Sequence, residues 1–553
     1  MNPLLRALAL LALFAASLHA APLSGTYRIG PTGDYPSLTA VIANVQAGGN
    51  GLGGAVTLEL QATYVSTVET FPLTIPALNG ASAVKTLTIR PAAGAVALLI
   101  SSGASATINL NAARFVTIDG RPGGVGNHAG SGGGTASQLT IANTSNFGVA
   151  LRLLDEVRSN TFRYTTFQGM NTSATSGVVL FSSTTGVNSN GNAIDHCDIR
   201  DGASTPANGI YAGFSQAQTG GSTISNCNIF NFYSGTTTTA GVRLDAGTTG
   251  WTITGNSFYQ TASRAAVAAN VRSIYINNTS GSNFAVTGNF IGGSAPNAGG
   301  TAWTTTGTAA AYLFQGIRLN VSTFTPSSVQ GNTIANIVWT SSSAATTLPG
   351  VWSGIYVVAG AVNIGTVTGN AVGSGTGTDS VSVTTSGSGG ASFGIGSESG
   401  STVANNTIGS ITVNGSAISV STSLIGIAGA SAVSNNTVGS ITTANSFNAA
   451  TSSTSSTGQE VTGILNASII TGNTVANLNN NYAGTAAGGR VTASPPERPP
   501  LLATLSTTFP PRARTRLRCR YAASMKPPIS AVRSCRKTSC IRSPIRRPLE
   551  RCG

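Results

Sequence analysis

Val286-Thr287-Gly288-Asn289-Phe290-Ile291 is one of ten copies of a six-residue pattern that returns between residues 157 and 475. Each copy has an aliphatic residue, two small or polar residues, an Asn-like residue, a spacer and a second apolar residue. The fourth positions of the copies are Asn160, Cys197, Cys227, Asn256, Asn289, Asn332, Asn370, Asn406, Asn436 and Asn473. Neighbouring copies lie 29 to 43 residues apart, and self-similarity on this scale is typical of a solenoid, a propeller or an array.

The third position of each copy favours residues that tolerate a positive φ. It is Gly in five copies, Asn in three, His196 in one and Ser159 in one, and Gly, Asn and His are enriched in left-handed backbone. A second apolar run usually begins upstream at a Gly–aliphatic pair such as Gly316-Ile317. We therefore predict about three short strands per repeat, and we interpret the Ser/Thr/Gly-rich residues 374–392 and 444–458 as projecting loops.

The recurring Asn predicts a ladder of inward-facing amides, each bonded to its neighbour and to local backbone. Cys197 and Cys227 occupy this position in adjacent repeats, so their backbones should lie within the distance range of a disulfide. The two residues are either bonded or act as small buried replacements for Asn. We expect no metal site, because no His/Cys cluster has ligand spacing.

Residues 22–489 resemble the right-handed parallel β-helix family, the pectin-lyase-like fold, and especially large secreted bacterial proteins built from β-strand repeats. The resemblance rests on the turn repeats and on Gly33-Asp34-Tyr35-Pro36-Ser37-Leu38-Thr39, which is similar to the entry segment of such proteins. It implies an all-β chain folded as a right-handed parallel β-helix solenoid; the residues outside the repeats predict in addition a short amino-terminal capping helix and a disordered carboxy-terminal tail. It implies little about activity, because this fold hosts lyases, hydrolases, adhesins and inert stalks.

The amino-terminal part predicts export followed by a cap. In residues 1–20, Arg6, an apolar run and a small-residue site near Ala20 indicate a signal peptide. The run is too short to span a bilayer comfortably, so we expect an extracellular or outer-surface protein without a transmembrane segment. Residues 21–130 then form a cap and the first irregular coils, with Ser37 as N-cap of a helix over residues 38–46 and strands near 56–60, 86–90, 96–100 and 115–119.

Residues 131–489 carry the β-helix repeats, and residues 490–553 depart from them. This tail has thirteen Arg and two Lys against Glu497 and Glu550, a net charge of +13, and four of the six Cys. A basic arm for nucleic acid or an anionic surface is one reading. The favoured reading is a frameshift, because a shifted frame permits repeat-like sequence at residues 502–510 and 536–544. We therefore expect a disordered tail and no nucleic-acid partner.

The densest ionisable group spans residues 195–201 and contains Asp195, Asp198 and Asp201, with Arg243 and Asp245 one or two coils later. Stacked carboxylates can bind Ca²⁺ or act as acid and base on a sugar chain. Solvated turn residues explain the same pattern. The resemblance would lead to an Asn-Thr-Asp segment, an Asp-Asp pair, a His-Gly pair and an Arg-Ile-Lys segment in a polysaccharide hydrolase, and none of them is present.

We therefore expect a monomeric, secreted or cell-surface β-helix with an adhesive, glycan-contacting or structural role, no catalysis and no cofactor. The alternative is a polysaccharide lyase or glycoside hydrolase acting in a surface groove, with Ca²⁺ as its only expected cofactor. The Trp residues either share a face and stack on sugars or belong to the core; they are Trp251, Trp303, Trp339 and Trp352.

Overall fold

The computed structural model of the 553-residue chain describes residues 21–125, 137–184, 189–218, 220–307, 310–485 and 488–494. The predicted signal peptide, residues 1–20, lies outside the described residues. So does most of the tail, residues 495–553, for which disorder was predicted.

Four sheets of parallel strands form the fold. The 14-stranded sheet contains Leu23–Ile29, Leu52–Leu60, Leu87–Pro91, Val116–Asp119, Thr161–Arg163, Ala193–Asp195, Thr223–Ser225, Thr252–Thr254, Ala285–Thr287, Ser327–Gln330, Val362–Ile364, Thr402–Ala404, Ala432–Ser434 and Ile469–Thr471. The 12-stranded sheet contains Leu98–Ser102, Leu139–Asn143, Thr166–Gly169, Asp198–Asp201, Asn228–Phe230, Ser257–Tyr259, Phe290–Ile291, Thr333–Ile334, Ala371–Gly373, Thr407–Gly409, Thr437–Gly439 and Thr474–Ala476.

The other two sheets complete the coils. The 13-stranded sheet contains Leu73–Pro76, Ala106–Asn111, Val149–Leu154, Val179–Ser182, Asn208–Ala212, Thr239–Leu244, Val271–Asn278, Phe314–Val321, Trp352–Ala359, Gly390–Ser397, Thr422–Ala428, Gln459–Leu465 and Gly489–Thr492. The 7-stranded sheet contains Arg264–Ala265, Trp303–Thr306, Ile337–Ser341, Val381–Thr385, Ile411–Gly415, Phe447–Ala449 and Leu478–Asn480.

Successive coils are stacked in parallel, in a register that shifts only after Leu23 and after Leu319 among the paired strands described, which confirms the predicted all-β parallel β-helix. The chain passes from a strand of the 13-stranded sheet to one of the 14-stranded sheet, then to one of the 12-stranded sheet, and returns one coil later. Ile210 pairs with Val242, Val242 with Ile274, and Ile274 with Ile317. These side chains are fully buried, so the core is a continuous stack of aliphatic residues inside the coil.

The earlier coils have the three predicted strands, and the later coils add a fourth. The 7-stranded sheet begins at Arg264 and continues through the later coils. Two segments interpreted as projecting loops contain its strands Val381–Thr385 and Phe447–Ala449. The first of these strands was hard to predict because only Val381 and Val383 supply apolar side chains. Its Ser and Thr residues nevertheless fit a pleated, half-buried surface and continue the strand.

The predicted helix is confirmed at Leu38–Gln46, the only α-helix in the described part of the chain. The side chain of Ser37 accepts a hydrogen bond from the backbone N–H of Ala40, at 3.0 Å, as an N-cap residue does. The predicted face is buried and comprises Leu38, Val41, Ile42 and Val45.

Coils precede the repeat region, as predicted, and its other boundary lies within a strand. The first strands of the 14-stranded sheet come from residues 23–119, so complete coils precede the first repeat. Near the other end, Gly489–Thr492 pairs with Gln459–Leu465, and the predicted boundary after residue 489 therefore falls inside a strand. Short 3₁₀ turns occur at Ala47–Gly49, Ser66–Val68 and Pro122–Gly124. Among the described residues, none of the helices has the length and apolarity that a membrane crossing requires.

Candidate functional site

A column of buried amides follows the turn between the 14-stranded and 12-stranded sheets. The Asn289 Nδ2 group donates to Asn332 Oδ1 at 2.9 Å and to the Ile253 carbonyl at 2.9 Å, while the Asn289 backbone N–H donates to the same Asn332 Oδ1 at 3.0 Å. The same contacts link the consecutive members Asn256, Asn289, Asn332, Asn370, Asn406, Asn436 and Asn473. Because each amide is occupied by its neighbours, this column serves packing and offers no ligand site.

The two cysteines extend this column as free thiols. The Cys227 backbone N–H donates to Asn256 Oδ1 at 2.9 Å, and the Cys197 backbone N–H points at Cys227 Sγ at 3.4 Å. Both side chains are buried and unbonded to each other. Burial, reinforced by the neighbouring Cys197, raises the pKa of the Cys227 thiol well above its ordinary value. The two cysteines were expected either to form a disulfide or to replace Asn as small buried residues. The structure shows the second arrangement.

Asn160 does not belong to this column, which corrects the prediction for this residue. Phe162 pairs with Ile194 across the 14-stranded sheet, so Asn160 aligns with Asn192 and Thr165 takes the position of Cys197. The Asn160 Nδ2 group donates to Asn192 Oδ1 at 2.9 Å. Residues 157–162 match the turn repeat in sequence. Their fourth position, however, comes before the strand Thr161–Arg163 and not after it.

The turn residue before each ladder position has the expected left-handed backbone in nearly every copy. His196 has φ 52°, Asn226 53° and Gly288 62°. Gly369 does not have a positive φ; a Cβ atom there would lie 1.9 Å from the Asn405 carbonyl oxygen. Close approach of the next coil, and not backbone handedness, therefore accounts for glycine at residue 369.

Asp195 belongs to the 14-stranded sheet and is held by three neighbours. Its carboxylate accepts hydrogen bonds from Ser225 Oγ at 2.7 Å and Asn226 Nδ2 at 3.0 Å, and His196 Nδ1 lies 2.8 Å away. Burial alone would raise the pKa of Asp195, but the hydrogen bonds from Ser225, His196 and Asn226 outweigh it and lower that pKa. The His196 ring stacks on Tyr164, with ring centroids 4.9 Å apart.

Asp198 and Asp201 lie around the turn, on the 12-stranded sheet. Asn228 Nδ2 donates to Asp198 Oδ1 at 2.9 Å, and Asn231 Nδ2 donates to Asp201 Oδ1 at 3.0 Å. Burial raises the pKa of Asp198, although the hydrogen bond from Asn228 opposes the change. The backbone turn at His196 thus places Asp195 and Asp198 on different sheets despite their three-residue separation.

Arg243 lies at a third place, on the 13-stranded sheet, and Asp245 directly follows the same strand, Thr239–Leu244. Their side chains form an ion pair with an Nη2–Oδ2 distance of 2.8 Å, and Tyr211 donates its hydroxyl to Asp245 Oδ2 at 3.1 Å. The five catalytic candidates therefore lie on strands of three different sheets or, for Asp245, directly after one. Within the described ranges, no group of three or more His, Cys, Asp or Glu side chains could hold a metal ion.

The tryptophans belong to the interior. Trp251, Trp303, Trp339 and Trp352 are all fully buried, and they contact other core rings such as Phe314, whose centroid lies 5.5 Å from that of Trp303. The hypothesis of a sugar-stacking Trp strip is therefore wrong.

The structure reveals a row of side chains that the sequence analysis missed. We call it the Tyr–Arg row; its members, in register on consecutive strands of the 13-stranded sheet, are Tyr211, Arg243, Tyr275, Arg318 and Tyr356. Their neighbours within each strand, such as Ile274 and Ile276 beside Tyr275, are fully buried in the core, so the row points outward. Its signal was present, because four of the five members directly follow a Gly–aliphatic pair.

Guanidinium groups and phenol rings alternate along the row. The Arg243 Cζ atom lies 5.7 Å from the Tyr211 centroid and 5.2 Å from that of Tyr275. Arg318 Cζ lies 4.9 Å from the Tyr275 centroid and 6.0 Å from that of Tyr356. These are cation–π distances. The rings of Tyr211, Tyr275 and Tyr356 are only 9%, 8% and 4% exposed, whereas Arg243 and Arg318 are partly exposed, so the guanidinium groups are the more accessible members of the row.

Comparison with known proteins adds no assignment to this geometry. No protein-family model matches the sequence, and no curated protein matches it significantly.

Proposed function

We propose that this chain is an exported, pectin-lyase-like β-helix of the bacterial β-strand repeat kind, located outside the cell or on its outer surface, that contacts glycans without catalysis. The contact surface is the outer face of the 13-stranded sheet around the Tyr–Arg row. The observation that carries the proposal is the row itself, which places guanidinium and phenol groups in register on consecutive strands.

Polar side chains beside the row strengthen this interpretation. Asn277 and Asn320 pair across neighbouring strands, and Asn320 Nδ2 donates to Asn277 Oδ1 at 3.1 Å. Amide and guanidinium groups together match the hydroxyl-rich surface of a sugar chain, since each supplies directional hydrogen bonds. The guanidinium groups of the row recur on alternate strands, at Arg243 and Arg318, so at a strand spacing of about 4.8 Å they repeat about every 10 Å along the axis.

The test is a panel of polysaccharides examined for both binding and turnover with the full chain. We expect binding to at least one glycan, with no new reducing ends and no unsaturated product. Absence of binding to the whole panel would contradict glycan contact. Export is tested separately by sequencing the amino terminus of the protein recovered outside the cells, which should begin near Ala21.

The enzyme alternative keeps one observation in its favour. Asp195 has a lowered pKa and Asp198 a raised pKa only three residues away, and carboxylates driven apart in this way can divide base and acid roles. Their positions on different sheets weigh against a shared substrate. Turnover of any glycan that disappears in Asp198→Asn would establish this alternative in place of the binding role.

A further inference from the structure

We propose that Arg272 and Arg318, which flank Tyr275, form an anion subsite for an acidic glycan, a sugar chain carrying carboxylate or sulfate groups. The inference rests on the proposed glycan contact and specifies its ligand class.

Three guanidinium groups surround one phenol ring at this place. The Cζ atoms of Arg272, Arg318 and Arg243 lie 4.3, 4.9 and 5.2 Å from the Tyr275 centroid. Such convergence of like charges on a half-buried surface is unfavourable unless anions balance it.

The carboxylates of the chain balance only part of this charge. Asp245 pairs with Arg243 at 2.8 Å, and Glu398 accepts the hydroxyl of Tyr356 at 2.8 Å. Within the described ranges, neither Arg272 nor Arg318 has a carboxylate oxygen within 4.0 Å. Two positive charges at Tyr275 therefore lack an ion-pair partner in this part of the protein.

Neutral contacts hold both guanidinium groups in place. Arg272 Nε donates to Gln315 Oε1 at 2.6 Å, and Arg318 Nη1 lies 3.5 Å from Asn277 Oδ1. Burial, followed by the like charge of Arg318, lowers the pKa of Arg272 to about 10, so the group stays cationic at neutral pH. Preorganised guanidinium groups bind carboxylate and sulfate oxygens through charge-assisted hydrogen bonds.

The surroundings favour an acidic sugar over a simple anion. The Asn277–Asn320 pair lies beside the arginines on the same strands and can donate to and accept from hydroxyl groups. A ligand that combines anionic groups with many hydroxyls matches both features at once.

The test compares two double variants of the full chain. R272Q/R318Q removes the subsite, and R114Q/R200Q makes the same charge change at side chains that are 42% and 40% exposed on other faces. Both keep the basic tail, so any binding by the tail is common to them. The probes are oligogalacturonate, a heparin oligosaccharide, neutral maltohexaose and a DNA oligonucleotide of matched charge, at fixed ionic strength.

We expect R272Q/R318Q to weaken binding of one or both acidic glycans by about tenfold or more, and R114Q/R200Q to change it by less than about twofold. Hydrogen exchange should show protection of residues 271–278 and 314–321 by the bound acidic glycan. The galacturonate and heparin arms separate carboxylate from sulfate recognition.

Other outcomes overturn the inference in distinguishable ways. Equal losses in both double variants would mean that net charge alone drives binding. Equal binding of maltohexaose, unaffected by R272Q/R318Q, would remove the anion subsite and leave glycan contact intact. Binding of the oligonucleotide with the same sensitivity would reassign the subsite to polyanions in general. Failure of every glycan to bind would contradict the proposed function itself.

Discussion

A single ladder asparagine satisfies several buried groups at once. Asn332 Oδ1 accepts from the backbone and side chain of Asn289 at 3.0 and 2.9 Å, while its Nδ2 group donates to the Val286 carbonyl at 2.9 Å and to Asn370 Oδ1 at 2.8 Å. Asn332→Ala should therefore lower the free energy of unfolding by about 3 kcal/mol, because buried donors and acceptors lose their partners. Hydrogen exchange of the flanking strands measures the loss.

The matched control is Asn363→Ala on the strand Val362–Ile364, where the side chain is half-buried and outside the column. We expect a change below about 1 kcal/mol there. Equal effects of the two substitutions would show that the amide column adds nothing beyond ordinary strand packing.

Asp195 and Asp198 should respond to pH in opposite senses. The pKa of Asp195 is lowered in the folded chain, so its stabilising contribution is complete above the ordinary value of 3.8 and is lost as pH falls through the folded pKa. The pKa of Asp198 is raised, so its contribution is complete below 3.8 and is lost as pH rises through the folded pKa.

At pH 7, Asp195→Asn should therefore destabilise the chain by about 1 kcal/mol, whereas Asp198→Asn should be neutral or stabilising. Denaturant unfolding at pH 7 and pH 3 measures both variants. A loss of stability at pH 7 in Asp198→Asn as large as that in Asp195→Asn would contradict the assigned environments.

At the scale of elements, the start of the helix Leu38–Gln46 depends on a residue far along the chain. Glu69 accepts hydrogen bonds from the backbone N–H groups of Leu38 and Thr39, each at 2.7 Å, and from the Tyr64 hydroxyl at 2.8 Å. A carboxylate at this end also interacts favourably with the helix dipole.

Glu69→Ala should destabilise the helix by about 2 kcal/mol, more than the roughly 1 kcal/mol expected for Ser37→Ala. Hydrogen exchange of residues 38–46 gives the measurement. Glu156→Ala, which removes a partly exposed ion pair with Arg114, is the control and should leave helix exchange unchanged. Helix exchange in Glu69→Ala that matches this control would refute the cap.

The helix also shows how far sequence could lead. Ser37 and the apolar spacing of Leu38–Gln46 are local signals and predicted the element correctly, whereas the Glu69 cap is a contact over 31 positions that spacing does not encode. The 7-stranded sheet escaped prediction because strands such as Val381–Thr385 lie in Ser- and Thr-rich segments with few apolar side chains. The Tyr–Arg row escaped because its members are separated by 32 to 43 residues and align only once the register is known.

On the scale of the whole molecule, the parallel register sorts residues by role. Residues before the ladder turn, such as Ile253, Val286 and Val329, repeat as fully buried core. The residues next to these core positions in each strand point outward, and their side chains differ from coil to coil. The catalytic candidates are separated for this reason, since residues close in sequence are divided among sheets, while residues a coil apart are brought together.

The Tyr–Arg row has a further consequence for how affinity should scale. Its side chains follow one another at the strand separation of about 4.8 Å, so the row offers a series of evenly spaced contacts along the axis. A polymer that contacts several of these side chains gains affinity through multivalency until it is longer than the row. Titration with an oligosaccharide series should therefore show affinity that rises with chain length and then levels off, whereas a length-independent affinity would indicate one isolated pocket.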